Sequence, residues 1–371
     1  MKKIVFIAKT DLNKDGRILN ELRILKNKFK NKIFIEFILM ADKPLNIVIE
    51  DVDRFHFIST RIRNNSLLRI FTVFEFTVKA LIKLFRTKPD VIHAEDTAIT
   101  LPVYLYSLLK GKNVVIVYDD HELPNENETI QLKFLQKVET LLMARSAHII
   151  FANKERQDYL TNVSNLNLSN SSYLLNLPYF ENVNNALSSE VIPIYQFKEE
   201  NQLKFIMHQG IIEEERGRLK LADFSKKLPK HVKILIVGVS KKYFEEFIEE
   251  YNLDEFNFHF IGAVPYYVLN DYWKLADASI VMYLPKYLNN KLCAPNRLYI
   301  SYNHRLPIIV NIDNPVLSNF VKTNNCGLFI EDLTTLNIED IFSIKYNSDS
   351  IEQLKQSEMG KLEGLYEKII K

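Results

Sequence analysis

The chain has 371 residues, 47% of them hydrophobic and 25% charged, with 48 Lys and Arg against 46 Asp and Glu. That length allows two domains with cores of their own, and the composition excludes a disordered or fibrous chain. A formal net charge of +2 leaves no basic excess to make nucleic acid the main ligand.

The opening "MKKIVFIAK" reads as a first strand, with too short an apolar run for a signal peptide. Further β-branched runs follow at 33–40, 54–58, 90–94, 113–118, 147–152 and 173–176, mostly separated by helical stretches. Between two of them, residues 66–88 put Arg69, Thr72, Glu75, Lys79, Lys83 and Arg86 on one side of a helix whose other side is apolar and rich in phenylalanine. Such a helix either covers the sheet or lies on a membrane surface, where its basic residues suit anionic head groups. Residues 181–202 are polar and irregular, the pattern of an interdomain linker. Strand runs then resume at 203–208, 232–238, 256–262, 278–283, 307–311 and 327–330, and residues 350–371 end the chain as a helix.

Alternating strands and helices imply an α/β protein with parallel sheets covered on both faces. We expect two doubly wound, Rossmann-like domains: 1–185, a linker 186–202, then 203–350, with a terminal helix 351–371. Ligands of such sheets sit at the carboxyl ends of the strands, so the two domains should share a cleft. Cys293 and Cys326 make neither a CxxC pair nor a disulfide framework, which fits a cytoplasmic protein. No run is long enough to span a bilayer. The chain has nine glycines and neither GxGxxG nor GxxxxGK[ST], so helix starts and cationic side chains must hold any nucleotide.

Two strand ends carry ionisable groups. In "VIVYDDHELPNE" Asp119, Asp120, His121 and Glu122 follow the strand, and "DVIHAEDTA" brings His93, Glu95 and Asp96 to the same edge. His121 suits proton chemistry or a hydroxyl contact near neutral pH; its acidic neighbours orient the loop, and Asp96 reads as a helix cap. "HELPN" lacks the second histidine of a zinc-protease HExxH motif. In the second half, "HQGIIEEERGRLKLADF" places Gly210 after a strand and then Arg216, a cation suited to phosphate, with Arg218 close behind. In "YLNNKLCAPNRLYISYNHRLPIIV", Pro295 suits a helix's first turn, with Asn296 and Arg297 beside its exposed amides, a natural diphosphate site.

These stretches resemble a known family. "KPDVIHAEDTAITLPVYLYSLLKGKNVVIVYDDHE", "GIIEEERG", "LCAPNRLYISYNHRLPIIV" and the loop "DLNKDGRILNELRIL" are similar, in order, to motifs of the GT-B glycosyltransferases of family 4. The resemblance implies transfer of a sugar from a nucleotide-diphosphate donor, a UDP-sugar slightly favoured, to a polysaccharide or lipid-linked acceptor. It implies retention at the anomeric carbon and no metal or other cofactor. His121 would contact the transferred sugar or support the acceptor side, with Glu95, Asp120 and Glu122 near it, and Gly16 would let the first loop approach the donor. Arg216 would neutralise the diphosphate, joined by Asn296 and Arg297, with Arg218 and Lys291 as candidates for a second cation. Loops at Gly238 and around Val264 would hold the base. One position departs: Ile300 stands where the family has a glutamate that grips the donor ribose, and isoleucine accepts no hydroxyl. The loss would cost roughly 1.5–3 kcal/mol unless another group compensates. A rearranged ribose site, a different donor and a non-catalytic subunit all follow from that change, and a sugar-nucleotide epimerase is a further reading.

Overall fold

The computed structural model describes residues 1–13, 15–41, 43–60, 69–121, 123, 130–163, 166–180, 186–265, 268–334, 337–345 and 349–371, except for the side chains of 69, 70, 112, 130–132 and 334. The chain divides into two compact units, Met1–Asn176 with Lys355–Lys371, and Leu177–Leu354.

In the first unit the strands are β1 (Lys2–Ala8), β2 (Ile33–Leu39), β3 (Arg54–Phe57), β4 (Val91–Glu95), β5 (Val115–Asp120), β6 (His148–Phe151) and β7 (Ser171–Tyr173). They form one sheet in the order β3-β2-β1-β4-β5-β6-β7, with parallel pairing throughout. Strands buried on both faces read as near-continuous apolar runs, which is why the sequence marks them so clearly. The helices are α1 (Gly16–Phe29), α2 (Arg69–Thr87), α3 (Thr100–Lys110), α4 (Ile130–Arg145) and α5 (Lys154–Val163). On one face Val5, Ile7, Ile92 and Ile116 pack against Phe76, Ala80 and Leu84 of α2 and Val103 and Tyr106 of α3.

The second unit contains α6 (Ile192–Glu200), β8 (Lys204–Gln209), α7 (Arg218–Ser225), β9 (Val232–Val237), α8 (Lys241–Tyr251), β10 (Phe258–Gly262), α9 (Leu269–Trp273), β11 (Ala278–Val281), α10 (Leu288–Lys291), α11 (Asn296–Asn303), β12 (Ile308–Val310), α12 (Pro315–Asn324), β13 (Gly327–Phe329) and α13 (Glu339–Ser343). Its sheet order, β10-β9-β8-β11-β12-β13, repeats that of the first unit. The last helix, α14 (Asp349–Ile370), runs from the second unit into the first.

Each sheet reverses direction once, between β1 and β4 and between β8 and β11. Outside the carboxyl ends of the strands at such a reversal, neighbouring connections leave to opposite faces and open a crevice.

Three expectations change. The segment 186–202 is no irregular linker: Ile192–Glu200 is helical with proline at its start. Lys198 in that helix is buried and bonds Asp277 at 2.8 Å and the Leu275 carbonyl at 2.9 Å. Asp119 and Asp120 belong to β5 and do not follow it. Asp96 makes no side-chain cap; it takes a φ of 69° instead, a conformation that costs a non-glycine residue about 1–3 kcal/mol.

Candidate functional site

At the first reversal, β4, β5 and α1 together bury a charged cluster. Arg17, in the first turn of α1, straddles the Asp119 carboxylate, with Nη2 2.8 Å from both oxygens and Nε 3.2 Å from Oδ2. Its Nη1 donates to the Leu174 carbonyl at 2.7 Å, and Glu21 lies one turn along, 3.3 Å from Nε. His93 stacks on Phe6 and turns Nε2 towards Glu21 (3.2 Å), Glu95 (3.4 Å) and Asp119 (3.9 Å). His121 sets its Nε2 2.9 Å from Glu95 and 3.4 Å from Asp119. Tyr366 of α14 closes the cluster, its hydroxyl 2.6 Å from His93 Nδ1.

The electrostatics follow from this packing. Burial pushes the pKa of His121 down, but Asp119 and Glu95 outweigh it and hold the ring well above its ordinary value. His93 is raised in the same way, burial being overcome by Tyr366, Glu95, Asp119 and Glu21. Asp119 is held well below the usual carboxylate range: Arg17 and both imidazoles overcome its burial. Glu21 is pushed up to about 8 by burial and by Asp119 and Glu95. The protonated form of His121, in which both ring nitrogens are donors, is therefore favoured. Among the described residues, Glu21, His93, Glu95 and Asp119 have the donor chemistry for a metal ion, with ligating atoms within 4.8 Å of one another. The guanidinium of Arg17 already supplies a cation to Asp119.

At the second reversal the charges are arranged differently. Tyr283, just past β11, is fixed by its backbone: its N–H donates to Asn311 at 2.9 Å, and its carbonyl accepts from Asn311 (2.9 Å) and Asn314 (3.0 Å). Arg216 lies over its ring at 3.8 Å, and Arg297 at 5.5 Å. No described carboxylate lies within 4 Å of either guanidinium, although Lys286 and Glu214 pair nearby at 2.5 Å. Burial and the presence of Arg297 lower Arg216 to about 10, and burial lowers Arg297 to about 10. Both remain charged at neutral pH, in a place where added positive charge is unfavourable and an anion would be welcome.

The backbone shapes the same place. Gly217 links Arg216 to α7 at a φ of 76°, a conformation that favours glycine, and a Cβ there would stand 2.8 Å from Met282 Sδ and force that side chain to move. Gly210 and Gly238, at the ends of β8 and β9, pack backbone to backbone: a Cβ on Gly238 would come 3.3 Å from the Gly210 nitrogen. Arg297 also donates from Nη1 to the Gln209 carbonyl. Pro295 is the N-cap of α11, not a first-turn residue, and offers no capping side chain.

Of the residues read from sequence, the structure groups His121, Glu95 and Asp120 at the first sheet's edge and Arg216, Gly210, Gly238 and Arg297 at the second's. Asp120 is buried, and burial with Glu139 raises it well above a normal aspartate. Gly16 is the first residue of α1, after Asp15, whose carboxylate accepts from Ile18 N–H. Glu122 lies outside the described residues. Arg218 is already paired: it bonds Glu250 at 2.5 Å and the Ile212 carbonyl at 2.9 Å, under the rings of Tyr243 and Phe247. Lys291 is exposed at the end of α10. Val264 and Ile300 both pack against the core around Trp273 and Leu306, so Ile300 serves as an apolar packing residue. Arg17, Glu21, Tyr283 and Tyr366 escaped the sequence reading. The reversal rule applied to α1 could have found the first two.

No family model matches the chain, and no curated protein matches it. Solved structures do. HepE of Anabaena in complex with UDP superposes with a TM-score of 0.71 at 13% identity, over 99% of each chain. Sucrose-phosphate synthase from Thermosynechococcus elongatus gives 0.68 at 13% identity, over 100% of this chain and 96% of that one. A UDP-N-acetylglucosamine 2-epimerase gives 0.57 at 11% identity, over 95% and 94%. The chain has the GT-B fold, and its structural neighbours include glycosyltransferases of that fold.

Proposed function

We propose that the protein is a glycosyltransferase that moves a sugar from a nucleotide-diphosphate donor to a glycan or lipid-linked acceptor, with retention and without a metal ion. The observation that carries this reading is the pair Arg216 and Arg297 on the ring of Tyr283, two cations with no described carboxylate within 4 Å, at the second sheet's reversal. A diphosphate supplies the missing negative charge, and planar guanidinium groups bind it in bidentate fashion.

As the bond from the anomeric carbon to the diphosphate oxygen breaks, negative charge grows on that oxygen, and Arg216 and Arg297 stabilise it. The acceptor oxygen forms its bond on the same face, and its proton passes to the departing phosphate oxygen. No carboxylate base is then needed. We assign the acceptor to the first unit, with His121 as a charged donor to a sugar hydroxyl and Asp119 and Glu95 as the groups that keep it charged. A UDP-sugar is the favoured donor because HepE was solved with UDP.

Ile300 supports a second reading, a subunit that binds nucleotide sugar without turning it over, since an apolar side chain packed against the core offers nothing to a ribose. A ligand-detected NMR screen of UDP-, GDP- and other activated sugars, followed by assays of hydrolysis and transfer, separates the two. Binding with slow hydrolysis or transfer is expected. Binding without either favours the non-catalytic subunit, interconversion of donor sugars without acceptor points to an epimerase, and no binding at all overturns the transferase reading.

A further inference from the structure

Helix α2 has two apolar faces and only one of them is covered. Phe76, Ala80 and Leu84 are buried against the sheet. Phe71, Phe74, Val78, Ile82 and Phe85, spaced by three or four residues, form a second stripe that is exposed, with Phe71 at 57% and Phe74 at 68%. Exposed hydrophobic residues are ordinary when scattered, but five in line on one helix leave about 20 Å of apolar ridge in water. At its far end Phe85 packs edge-on against Tyr106 and beneath Lys110, and the same end of α3 exposes Leu108 and Leu109.

The charges beside the stripe have one sign in excess. On a helical projection Arg86, Lys79 and Lys83 fall along one flank of the ridge, against the single acid Glu75, which bonds Lys79 at 2.6 Å. A twofold partner would set these cations against their own copies, whereas the core of a protein interface is depleted of charge. An anionic lipid surface meets both demands: aromatic and aliphatic side chains enter the boundary of head groups and acyl chains while the basic flank faces phosphate. Among the described residues no helix is long and apolar enough to cross a membrane, so the contact would be in the plane of the surface.

We infer that α2 docks the protein onto an anionic bilayer through Phe71, Phe74, Val78, Ile82 and Phe85, with Lys83 and Arg86 at the head groups. In a parallel sheet the crossover helix starts at the carboxyl edge of the strands, so the Phe71 end of α2 lies at the edge of the first sheet that carries His121. That arrangement brings a lipid-linked acceptor to the same edge, but the docking stands independently of the transferase reading.

The test is flotation of the full chain, without nucleotide, on vesicles of equal phosphatidylglycerol and phosphatidylcholine and on pure phosphatidylcholine. Binding to the anionic vesicles is expected, at least tenfold weaker on the neutral ones. Lys83→Glu with Arg86→Glu should weaken it about 25-fold or more, each basic residue at such a surface being worth roughly fivefold. Phe71→Ser with Phe74→Ser should abolish flotation while the circular-dichroism melt stays in place, since both side chains are exposed. Flotation undiminished in the double serine variant, equal binding to both vesicles, or a wild type that does not float overturns the inference. So does a dimer formed without vesicles that the serine substitutions dissolve. Because no nucleotide is present, failure here leaves the donor reading untouched.

Discussion

Arg17, His93 and His121, at the reversal of the first sheet, all lie within 4 Å of a carboxylate, whereas Arg216 and Arg297, at the reversal of the second, have none among the described residues. The two places have the same topology and opposite electrostatics. Desolvating a charge is costly unless a partner is at hand, so the first cluster sets each cation against a carboxylate, although Glu21, Glu95 and the Nε2 atoms of His93 and His121 make no well-directed hydrogen bond there. The second leaves two cations waiting, which makes sense where the partner arrives with a substrate.

The largest effect should come from breaking the second site. Arg216→Ala should lower UDP affinity and reduce kcat/KM by about 10²–10³-fold, the scale found on removing a group that stabilises developing negative charge. Calorimetry with UDP and kinetics with the donor found in the screen check it. Lysine should rescue only in part, because it lacks the planar fork and its stacking on Tyr283. UDP affinity unchanged by Arg216→Ala would remove the contrast between the two sites.

A smaller, pH-dependent effect should sharpen the first. Glu21 is raised to about 8 in the folded protein from about 4.5, so its contribution to stability is full below pH ~4.5 and is lost as pH rises towards 8. The raised rings of His93 and His121 act in the same direction: their contribution is present below the unfolded value and lost as pH rises through the folded one. Asp119 acts oppositely and loses its contribution only in acid. His148, His208 and His259, all lowered by burial, act oppositely up to the ordinary histidine range, so the fall in melting temperature should be read between about pH 7 and 8, and Glu21→Gln, which cannot ionise, should flatten that slope. An equal slope in both proteins would show that Glu21 does not titrate in this window.

Much of the fold was readable because parallel strands are buried on both faces. Runs such as "KIVFIA" and "VKILIV" leave no polar alternation to confuse them with edge strands. The helix Ile192–Glu200 was not readable, because its polar residues look solvated until Lys198 meets Asp277, just ahead of β11, and that pairing exists only in three dimensions. The sites divide in the same way. Arg216 and Arg297 sit in local motifs, after a strand and at a helix start, and local reasoning finds them. Arg17, in the first turn of α1, gains its meaning from Asp119, 102 residues on, and Tyr366 from His93, 273 residues back. Arg218 misled for the converse reason, since its partner Glu250 lies on the next helix.

The smallest effect concerns the reach of α14 into the cluster. Tyr366 is fully buried, and its hydroxyl, pushed up to about 12 by burial, is the described group at His93 Nδ1. Tyr366→Phe keeps the ring against His93 and removes only that oxygen. A lost hydrogen bond to a charged group costs about 1.5–3 kcal/mol, visible as a drop of a few degrees in melting temperature. With its Nδ1–H left without an acceptor, the His93 imidazolium becomes less favourable and its pKa should fall, which histidine-resolved NMR can follow. Donor affinity should not change, because Arg216 and Arg297 belong to the other unit and take no part in this network. A variant that lost UDP binding as well as the His93 shift would tie the two sites together and end the separation drawn between them.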